Sequence, residues 1–405
     1  MEWKEVTLGE LGTIVGGATP STKNPSFYDG NIPWLTPKDL SVNSNKYILR
    51  GERNITEAGF KSCSCKILPK GSVLFSSRAP IGYVAIAAND MCTNQGFKSV
   101  IPNEETDSEF LYYILKYNKD YIASQGSGTT FAEVSGKTMK DIEVVVPKEK
   151  EDQRRIASIL SSLDRKIELN NKINADLEEM AQAIFKNWFV DFEPFKDGKF
   201  VDSELGMIPD GWKVGRLDEI ADVVGGSTPS KAKPEYYTQK GIAWLTPKDL
   251  SNHPAVYTSR GEIDITEEGY NSTSTKLMPK GTILFTSRAP IGYISIAQND
   301  ICTNQGFKSL VPKKAGTCFL YCFLKYVTPE IENKSTGSTF KEASGALMKS
   351  LQVIMPEQKV FEDFEEIVCP LFARIESLEK ENSRLSLLRD TLLPRLMSGE
   401  LEVPE

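Results

Sequence analysis

The sequence predicts an α+β protein built from two similar domains and two long helices. Three observations predict this class: a long internal repeat, short β-branched runs inside each copy, and a seven-residue apolar period after each copy. The chain has 405 residues, of which 40% are hydrophobic and 25% charged. This length exceeds what one hydrophobic core normally serves, so at least two domains are expected.

The repeat extends over nearly the whole chain. Its clearest segments are separated by a constant 210 residues, as positions 34 and 244 show. The matching segments are Trp34–Ser41 with Trp244–Ser251, Ser77–Tyr83 with Ser287–Tyr293, and Cys92–Ser99 with Cys302–Ser309. This spacing is far too long for a solenoid and indicates two copies of one domain.

Each copy mixes strand and helix patterns. Short β-branched runs such as Ser72–Phe75 and Tyr83–Ala87 lie between Gly, Pro, Asn and Ser turns, as is typical of strands. Thr36–Asp39 combines a capping threonine, a proline at the first helical position and an acid at the third, which predicts a helix start. Phe110–Lys116 and Phe319–Lys325 predict buried helices.

A coiled-coil period follows each copy. The first seam comprises Ile156, Leu160, Leu163, Ile167, Asn170, Asn174, Leu177, Ala181, Ile184 and Trp188. The second comprises Phe364, Val368, Leu371, Ile375, Leu378, Asn382, Leu385, Leu392 and Leu396. Each helix would be roughly 55 to 60 Å long at 1.5 Å per residue. Neither can bury such a stripe alone, so we expect the two helices to pair with each other.

Asn170, Asn174 and Asn382 interrupt these seams. They are either ordinary polar breaks at a frayed stretch or buried amides that penalise a slip of one helix along the other, that is, register control. If a pseudo-twofold axis relates the two copies, the helices run antiparallel and carry one domain at each end. The expected organisation is a first domain over residues 1–148, a first long helix over 149–192, a linker and second domain over 193–356, and a second long helix and tail over 357–405.

Composition excludes several functions. The only histidine, His253, lies in a polar turn, and Cys63 and Cys65 have no second pair at zinc spacing, so neither histidine-based catalysis nor a metal site is predicted. No apolar run is long enough to span a membrane and no signal peptide is evident, so a cytoplasmic protein is expected. The net charge of −7 is unevenly distributed along the chain. Residues 31–102 hold nine basic and four acidic residues, whereas residues 357–405 hold six basic and twelve acidic residues.

Six further motifs are informative: Ile156–Asp164, Ile167–Asn171, Ala181–Phe192, Ser203–Gly206, Ile208–Trp212 and Thr391–Leu401. They are similar to the signature stretches of one family, the specificity subunits of Type I restriction-modification systems. The resemblance covers essentially the entire chain. It implies two target-recognition domains that each read one half of a bipartite site on double-stranded DNA, held apart by antiparallel helices that bind two methyltransferase subunits, with restriction subunits joining the assembly.

The resemblance also implies that this subunit is not an enzyme. Methyl transfer to adenine and DNA cleavage belong to partner subunits, which would bind S-adenosylmethionine, ATP and Mg²⁺, so no cofactor is expected on this chain. The sequence agrees, because it contains neither an Asn-Pro-Pro-Phe or Asp-Pro-Pro-Tyr segment nor a glycine-rich turn suited to S-adenosylmethionine. No catalytic residue is predicted.

Matching polar residues of the two copies are the candidate DNA contacts. Lys38 and Lys248 stand at helix starts and are assigned to phosphate positioning, or else are solvated lysines. Arg78 and Arg288, in Ser-Arg-Ala-Pro loops, could read guanine or could bind loop carbonyls.

A second set of candidates follows the same logic. Gln95 and Gln305 offer an amide to adenine or simply form Asn-Gln-Gly turns, and Lys98 and Lys308 offer charge to phosphate. Thr129, Thr130 and Thr339 are candidates for backbone or thymine-methyl contacts. Because both copies share these loops, we expect half-sites of similar sequence and a near-palindromic full site. The divergent stretches 42–49 and 252–259 are where the half-sites could differ.

Two other functions stay open at this stage. A coiled-coil adaptor could use the repeated domains to bind proteins or glycans, which the basic surplus of the first copy only weakly opposes. An enzyme such as a nuclease could assemble scattered carboxylates on folding. Salt-sensitive DNA binding that requires a methyltransferase would favour the specificity subunit over both.

Overall fold

The computed structural model describes residues 1–43, 45–78, 80–128, 132–335 and 341–403. The chain forms two compact units: residues 1–169 with 382–405, and residues 170–381. Each unit holds one copy of the repeat together with one part of each long helix. Within the described residues, no helix combines the length and the apolarity needed to cross a lipid bilayer.

The first copy alternates short strands with short helices. Its strands are β1 (Trp3–Thr7), β2 (Gly12–Gly16), β3 (Tyr28–Leu35), β4 (Tyr47–Ile48), β5 (Asn54–Ile55), β6 (Val73–Ser77), β7 (Ile81–Ala87), β8 (Cys92–Thr93), β9 (Lys98–Pro102) and β10 (Glu143–Pro147). Its helices are α1 (Leu8–Leu11), α2 (Pro37–Val42), α3 (Glu57–Lys61), α4 (Ser108–Tyr117), α5 (Lys119–Ser124) and α6 (Gly136–Asp141), and the first long helix is α7 (Lys150–Phe189).

The second copy follows the same plan. Its strands are β11 (Phe200–Val201), β12 (Ile208–Pro209), β13 (Lys213–Arg216), β14 (Ala221–Gly225), β15 (Tyr237–Thr238), β16 (Trp244–Leu245), β17 (Tyr257–Thr258), β18 (Asp264–Ile265), β19 (Ile283–Ser287), β20 (Ile291–Ala297), β21 (Cys302–Thr303), β22 (Lys308–Pro312) and β23 (Gln352–Met355). Its helices are α8 (Leu217–Ile220), α9 (Pro247–Asn252), α10 (Glu267–Asn271), α11 (Thr317–Lys334) and α12 (Gly345–Ser350), and the second long helix is α13 (Gln358–Met397).

A five-stranded sheet forms the centre of each copy. The strand order is β2-β9-β6-β7-β4 in the first and β14-β22-β19-β20-β17 in the second, so the topology is the same. Strands β6 and β7 form an antiparallel hairpin with an irregularity between Phe75 and Ser77, and β19 and β20 repeat it between Phe285 and Ser287. The last strand of each sheet, β4 or β17, pairs in parallel with the hairpin.

The helix start predicted at Thr36 is present in both copies. In α2 the Asp39 carboxylate accepts hydrogen bonds from the Thr36 backbone N–H and hydroxyl, both 2.7 Å long, and α9 repeats this box with Thr246 and Asp249. The cap satisfies a helix-terminal donor that would otherwise lack an intrahelical partner. The sequence pattern therefore predicts this start correctly.

The long helices are part of the hydrophobic cores of the two units. In the first unit, Ile156 and Leu160 of α7 and Leu396 of α13 lie in one core with Phe75 and Tyr113, and all five are buried. In the second unit the rings of Phe185 and Phe189 pack against those of Phe319, Phe361 and Phe364. Both long helices bury apolar side chains in these cores, so each helix is stabilised by packing against the rest of its unit.

The two helices run antiparallel within the second unit. There Asn170 of α7 contacts Glu381 of α13, whereas Phe189, nearly twenty residues later in α7, stacks on Phe361, twenty residues earlier in α13. In the first unit the corresponding contact joins Asp164 to Arg389. The predicted fold class, two similar α+β domains with two long antiparallel helices, is confirmed.

Candidate nucleic-acid interface

The hairpin that carries Arg78 is fixed by hydrogen bonds at its base. The hydroxyl of Ser76 donates to the Pro80 carbonyl and accepts from the Tyr83 N–H, both at 2.8 Å. In the second unit Thr286 makes the same two bonds, also at 2.8 Å, with Pro290 and Tyr293. The turn that follows β6 or β19 is therefore anchored before any ligand arrives.

A carboxylate holds Arg78 and Lys98 together. Glu133 Oε2 lies 3.3 Å from Arg78 Nη1, and its Oε1 lies 3.1 Å from Lys98 Nζ. The segment carrying Glu133 is positioned by the Val134 N–H, which donates to the Ser77 carbonyl at 3.0 Å. Partial burial acts to raise the pKa of Glu133, but Lys98 and then Arg78 outweigh it and hold the pKa below its usual value.

The second unit has the same arrangement. Glu342 lies 3.4 Å from both Arg288 Nη1 and Lys308 Nζ. Its segment is positioned by the Ala343 N–H, which donates to the Ser287 carbonyl at 2.9 Å. About a third of each arginine side chain is exposed, 35% for Arg78 and 36% for Arg288. Each arginine therefore has both a structural partner and an accessible face.

Sequence reasoning missed the two glutamates. The sequence proposed loop carbonyls as the structural partners of the arginines, whereas the structure shows a shared carboxylate in each unit. The signal was available, because Glu133-Val-Ser-Gly136 and Glu342-Ala-Ser-Gly345 stand at equivalent places in the two copies. A repeated acidic residue at the edge of a basic loop is the feature that would have revealed them.

Gln95 and Gln305 occupy tight turns beside these clusters. The Asn94 side chain accepts the Gly96 N–H at 2.8 Å, and the Thr19 hydroxyl donates to the Gln95 amide oxygen. Asn304, Gly306, Thr228 and Gln305 repeat both contacts. Both glutamine side chains are exposed, so each glutamine can form its turn and also present its amide to a ligand.

The turn also requires a close approach of two backbone segments. A Cβ at Gly17 would lie 2.1 Å from the Thr93 carbonyl oxygen, and one at Gly226 would lie 2.2 Å from the Thr303 oxygen. No side chain fits at either place, which explains why the second glycine of the Gly-Gly pair before the Thr-Pro segment recurs in both copies. The glycines bring Thr19 and Thr228 next to the glutamines.

Lys38 and Lys248 are the second residues of α2 and α9 and are about three-quarters exposed. Lys38 Nζ lies 2.8 Å from Glu52 Oε2, and Lys248 Nζ lies 4.0 Å from Glu262 Oε2. Surface pairs of this kind contribute little to stability, about 0 to 1 kcal/mol. Both lysines are exposed, which fits a phosphate contact and a solvated lysine equally well.

The other predicted residues fall into two groups. Thr129, Thr130 and Thr339 lie outside the described residues. Of the seam asparagines, Asn170 is fully buried and its Nδ2 donates to Glu381 Oε2 at 2.9 Å, while Asn174 and Asn382 are half-buried. Register control remains a prediction for these three.

The described residues bring together one group of potential metal ligands, Cys318, Glu365 and Cys369. None of them is among the candidate DNA contacts. Cys63 and Cys65, the pair considered from the sequence, are not part of such a group in the described portion of the chain.

The fold and these loops define a class of protein, one with two homologous α+β units that display the same basic loops and share two long helices. Residues 1–179 and 209–385 match the family described as "Type I restriction modification DNA specificity domain". This match covers well over half of the chain. The protein belongs to the family of Type I restriction-modification specificity subunits.

Individual relatives agree with this assignment. The chain is 38% identical to the "Type I restriction enzyme MjaIX specificity subunit" of Methanocaldococcus jannaschii, over 100% of this chain and 94% of that protein. It is 26% identical to the HindI specificity subunit of Haemophilus influenzae, over 99% and 100%. The crystal structure of a Type I restriction-modification S subunit from M. genitalium shares the fold, with a TM-score of 0.58 at 19% identity over 100% and 97% of the chains.

Proposed function

We propose that this chain is the DNA-recognition subunit of a Type I restriction-modification complex, in which each unit reads one half of a bipartite duplex site. The observation that carries the proposal is the duplicated arrangement of an arginine and a lysine around one carboxylate, with an exposed glutamine on the turn that precedes the lysine. The adaptor that binds proteins or glycans has no such observation in its favour, and membership of the DNA specificity family opposes it.

The charge balance of each cluster suits an anionic ligand. One carboxylate faces two cations, so Arg78 and Lys98 together with Glu133 retain a net positive charge. A DNA phosphate or a guanine edge can take over the exposed side of the guanidinium while Glu133 keeps the lysine in place. This is preorganisation, since the arginine loses little side-chain freedom when DNA binds.

The partners follow from the family and from the surfaces of the long helices. Leu387 is 69% exposed on α13, and Met180 and Leu169 are each 52% exposed on α7. Exposed apolar side chains along such helices are a reason to place protein partners there, and we assign them to two methyltransferase subunits, with restriction subunits joining the complex. In this proposal those partners hold S-adenosylmethionine, ATP and Mg²⁺ and perform the chemistry, and this chain performs none.

The two half-sites should resemble each other. The arginine, lysine and glutamine positions are shared by both units, whereas the stretches 42–49 and 252–259 differ. Val42 and Leu49 are 80% and 65% exposed, so the first of these stretches offers side chains for discrimination. We therefore propose a near-palindromic site with a nonspecific gap, which mapping of methylated adenines in the host genome would test. Two unrelated half-sites would contradict it.

The decisive experiment measures DNA binding by the complex with its methyltransferase as a function of salt and of sequence. Arg78→Ala and Arg78→Lys are compared with Lys61→Ala, a control that removes a positive charge from an exposed lysine of the same unit, 76% accessible. If Arg78 reads a base, both Arg78 variants relax specificity in one half-site only, by roughly 1–3 kcal/mol of discrimination. The equivalent change at Arg288 affects the other half-site.

The same data separate base reading from phosphate contact. If Arg78 contacts only phosphate, Arg78→Ala weakens binding to all sequences alike and lowers the salt slope by about 1, while Arg78→Lys restores most of the affinity because a lysine retains the charge. If the Arg78 variants have the same affinity and salt slope as Lys61→Ala, the cluster does not contact DNA.

A further inference from the structure

A pair of thiols lies between the second copy and the second long helix. Cys318 is the second residue of α11, Cys369 lies on α13, and their sulfur atoms are 2.9 Å apart. Cys318 is buried with 3% exposure, whereas Cys369 is partly exposed. The S–S bond of a disulfide is about 2.05 Å long, so the two sulfurs are in direct contact and need only a small further approach to bond.

The first unit has no thiol at this place. The equivalent residues are Glu109, which precedes the matched Phe110 as Cys318 precedes Phe319, and Ser161, which lies 208 residues before Cys369. Their side chains also meet, since the Ser161 hydroxyl donates to Glu109 Oε2. The same contact between a copy and a long helix is thus a hydrogen bond in one unit and a thiol pair in the other.

We propose that Cys318 and Cys369 are a site of reversible oxidation, in which a hydroperoxide converts the two thiols into a disulfide that joins α11 to α13. This assignment does not depend on which DNA sequence the protein recognises. It concerns the second unit only, because Glu109 and Ser161 cannot form such a bond.

The reaction balances with one molecule of hydrogen peroxide. Glu365 Oε2 lies 3.0 Å from Cys369 Sγ and can accept its proton. The Cys369 thiolate attacks one peroxide oxygen, the O–O bond breaks, and a sulfenic acid and one water result. Cys318 Sγ then attacks the Cys369 sulfur, loses its own proton and releases the sulfenic oxygen as a second water, so that two thiols are oxidised and one peroxide is reduced.

The environments of the two thiols fit these roles. Cys369 is the more accessible sulfur, so peroxide reaches it first. The hydrogen bond with Cys369 and then burial raise the pKa of Cys318, which keeps it a thiol until the sulfenic acid forms beside it. Cys318 is therefore the resolving thiol.

A soft metal ion fits this pair of thiols less well than a disulfide does. Both oxygens of Glu365 already accept backbone N–H groups of α11, from Cys318 at 3.2 Å and from Phe319 at 2.7 Å. Two sulfurs on one tetrahedral zinc would lie about 3.8 Å apart, given Zn–S bonds of about 2.3 Å. The sulfurs at 2.9 Å are closer to each other than such a site requires.

Two other buried cysteines, Cys65 and Cys92, provide an internal comparison. Cys65 and Cys92 are 7% and 0% exposed, and a hydrogen bond from Cys92, which outweighs burial, lowers the pKa of Cys65 to about 7. The low pKa favours oxidation of Cys65, whereas access favours oxidation of Cys369. Because each of these residues has a neighbouring thiol, the order of oxidation shows which of the two factors decides.

The test uses the full chain, reduced, freed of reductant and titrated with hydrogen peroxide. Remaining thiols are alkylated, and the intact mass and peptides are analysed. We expect the intact mass at low peroxide to show two fewer alkyl groups than the fully reduced chain, a cross-linked peptide containing Cys318 and Cys369, and complete reversal by dithiothreitol. Two variants, Cys369→Ser and Cys318→Ser, should each abolish the cross-link; the first copies the side chain of Ser161 in the first unit. If either variant fails to fold, the cross-link in the wild-type protein alone decides.

Three results would overturn the proposal. The first is full alkylation of both cysteines after peroxide treatment. The second is oxidation of Cys65 or Cys92 ahead of them, or accumulation of irreversible sulfinic acid on Cys369. The third is stoichiometric zinc in the purified chain that is lost in Cys369→Ser, because the pair would then be a metal site.

Discussion

Replacing Lys46 by methionine should destabilise the first unit at neutral pH. The Lys46 side chain is 1% exposed, and its Nζ lies 2.9 Å from Glu109 Oε1 and 2.8 Å from the Ser161 hydroxyl. Removing one member of a buried ion pair costs about 3–5 kcal/mol, since the other charge remains. Glu109 keeps hydrogen bonds from Ser161 and from Tyr47, so we expect a smaller loss, about 2–3 kcal/mol.

The assay is calorimetric melting of the first unit. A loss of this size lowers its melting temperature by roughly 4–12 °C for a unit of this size. Lys46→Met with Glu109→Gln should recover much of the loss, because no uncompensated charge is left. Lys61→Met, at a lysine whose side chain is 76% exposed, is the matched control and should change stability by no more than about 0.5 kcal/mol.

The pH dependence sharpens this prediction. In the wild-type protein, burial acts to raise the pKa of Glu109, but hydrogen bonds from Ser161, Tyr47 and Lys46 outweigh it and lower the pKa. The ionised carboxylate therefore stabilises the fold above its unfolded pKa, and this contribution is lost as the pH falls. Without Lys46 the pKa of Glu109 is lowered less, so the deficit of Lys46→Met should shrink as the pH falls below the usual carboxyl value of 4.5. A deficit equal to that of Lys61→Met, or one unchanged by Glu109→Gln, would refute the reasoning.

Two further predictions concern the second unit. Burial raises the pKa of Glu379 to about 7 despite hydrogen bonds from two backbone N–H groups, so the folded state binds a proton that the unfolded state releases above about pH 4.5. The free energy of unfolding should therefore fall as the pH rises from about 4.5 to about 7. In thermal melts at a series of pH values, Glu379→Gln should make this fall smaller, and a fall as large as that of the wild-type protein would contradict the prediction. Asn170→Leu removes the hydrogen bond to the Glu381 carboxylate and should cost about 1.5–3 kcal/mol in a thermal melt, whereas a stability gain would show that the amide is dispensable.

The features that the sequence predicted correctly depend on local patterns. The helix start at Thr36 follows from four consecutive residues, and the strands on either side of the Ser-Arg-Ala-Pro loop follow from two short β-branched runs. The long helices over Lys150–Phe189 and Gln358–Met397 follow from their seven-residue period. Because the second copy has the same sequence pattern as the first, each element predicted for the first copy was also predicted for the second. The two sheets do have the same topology.

The contacts that escaped prediction join residues far apart in the chain. Lys46 lies in a stretch whose divergence from the second copy suggested a variable DNA-contacting surface, yet its side chain is buried against Ser161. Glu133 reaches back across more than fifty residues to Arg78. Periodicity and propensity report neighbours along the chain, so partners of this kind become visible only when the fold brings them together.

The two units differ on both sides of the contact between each copy and the helix it packs against. Lys46, Glu109 and Ser161 form a charged cluster in the first unit. The second unit places Val256, Cys318 and Cys369 at the equivalent positions.

A recognition domain therefore cannot be exchanged between the two positions on its own. The first domain moved onto the helix that carries Cys369 would bring Lys46 and Glu109 to a buried site without the Ser161 hydroxyl, and a half-satisfied polar network is less stable than an apolar one. The exchange becomes compatible with the packing only when Cys369 is changed to serine as well. Each packing unit thus includes the helix surface beneath the domain as well as the domain itself.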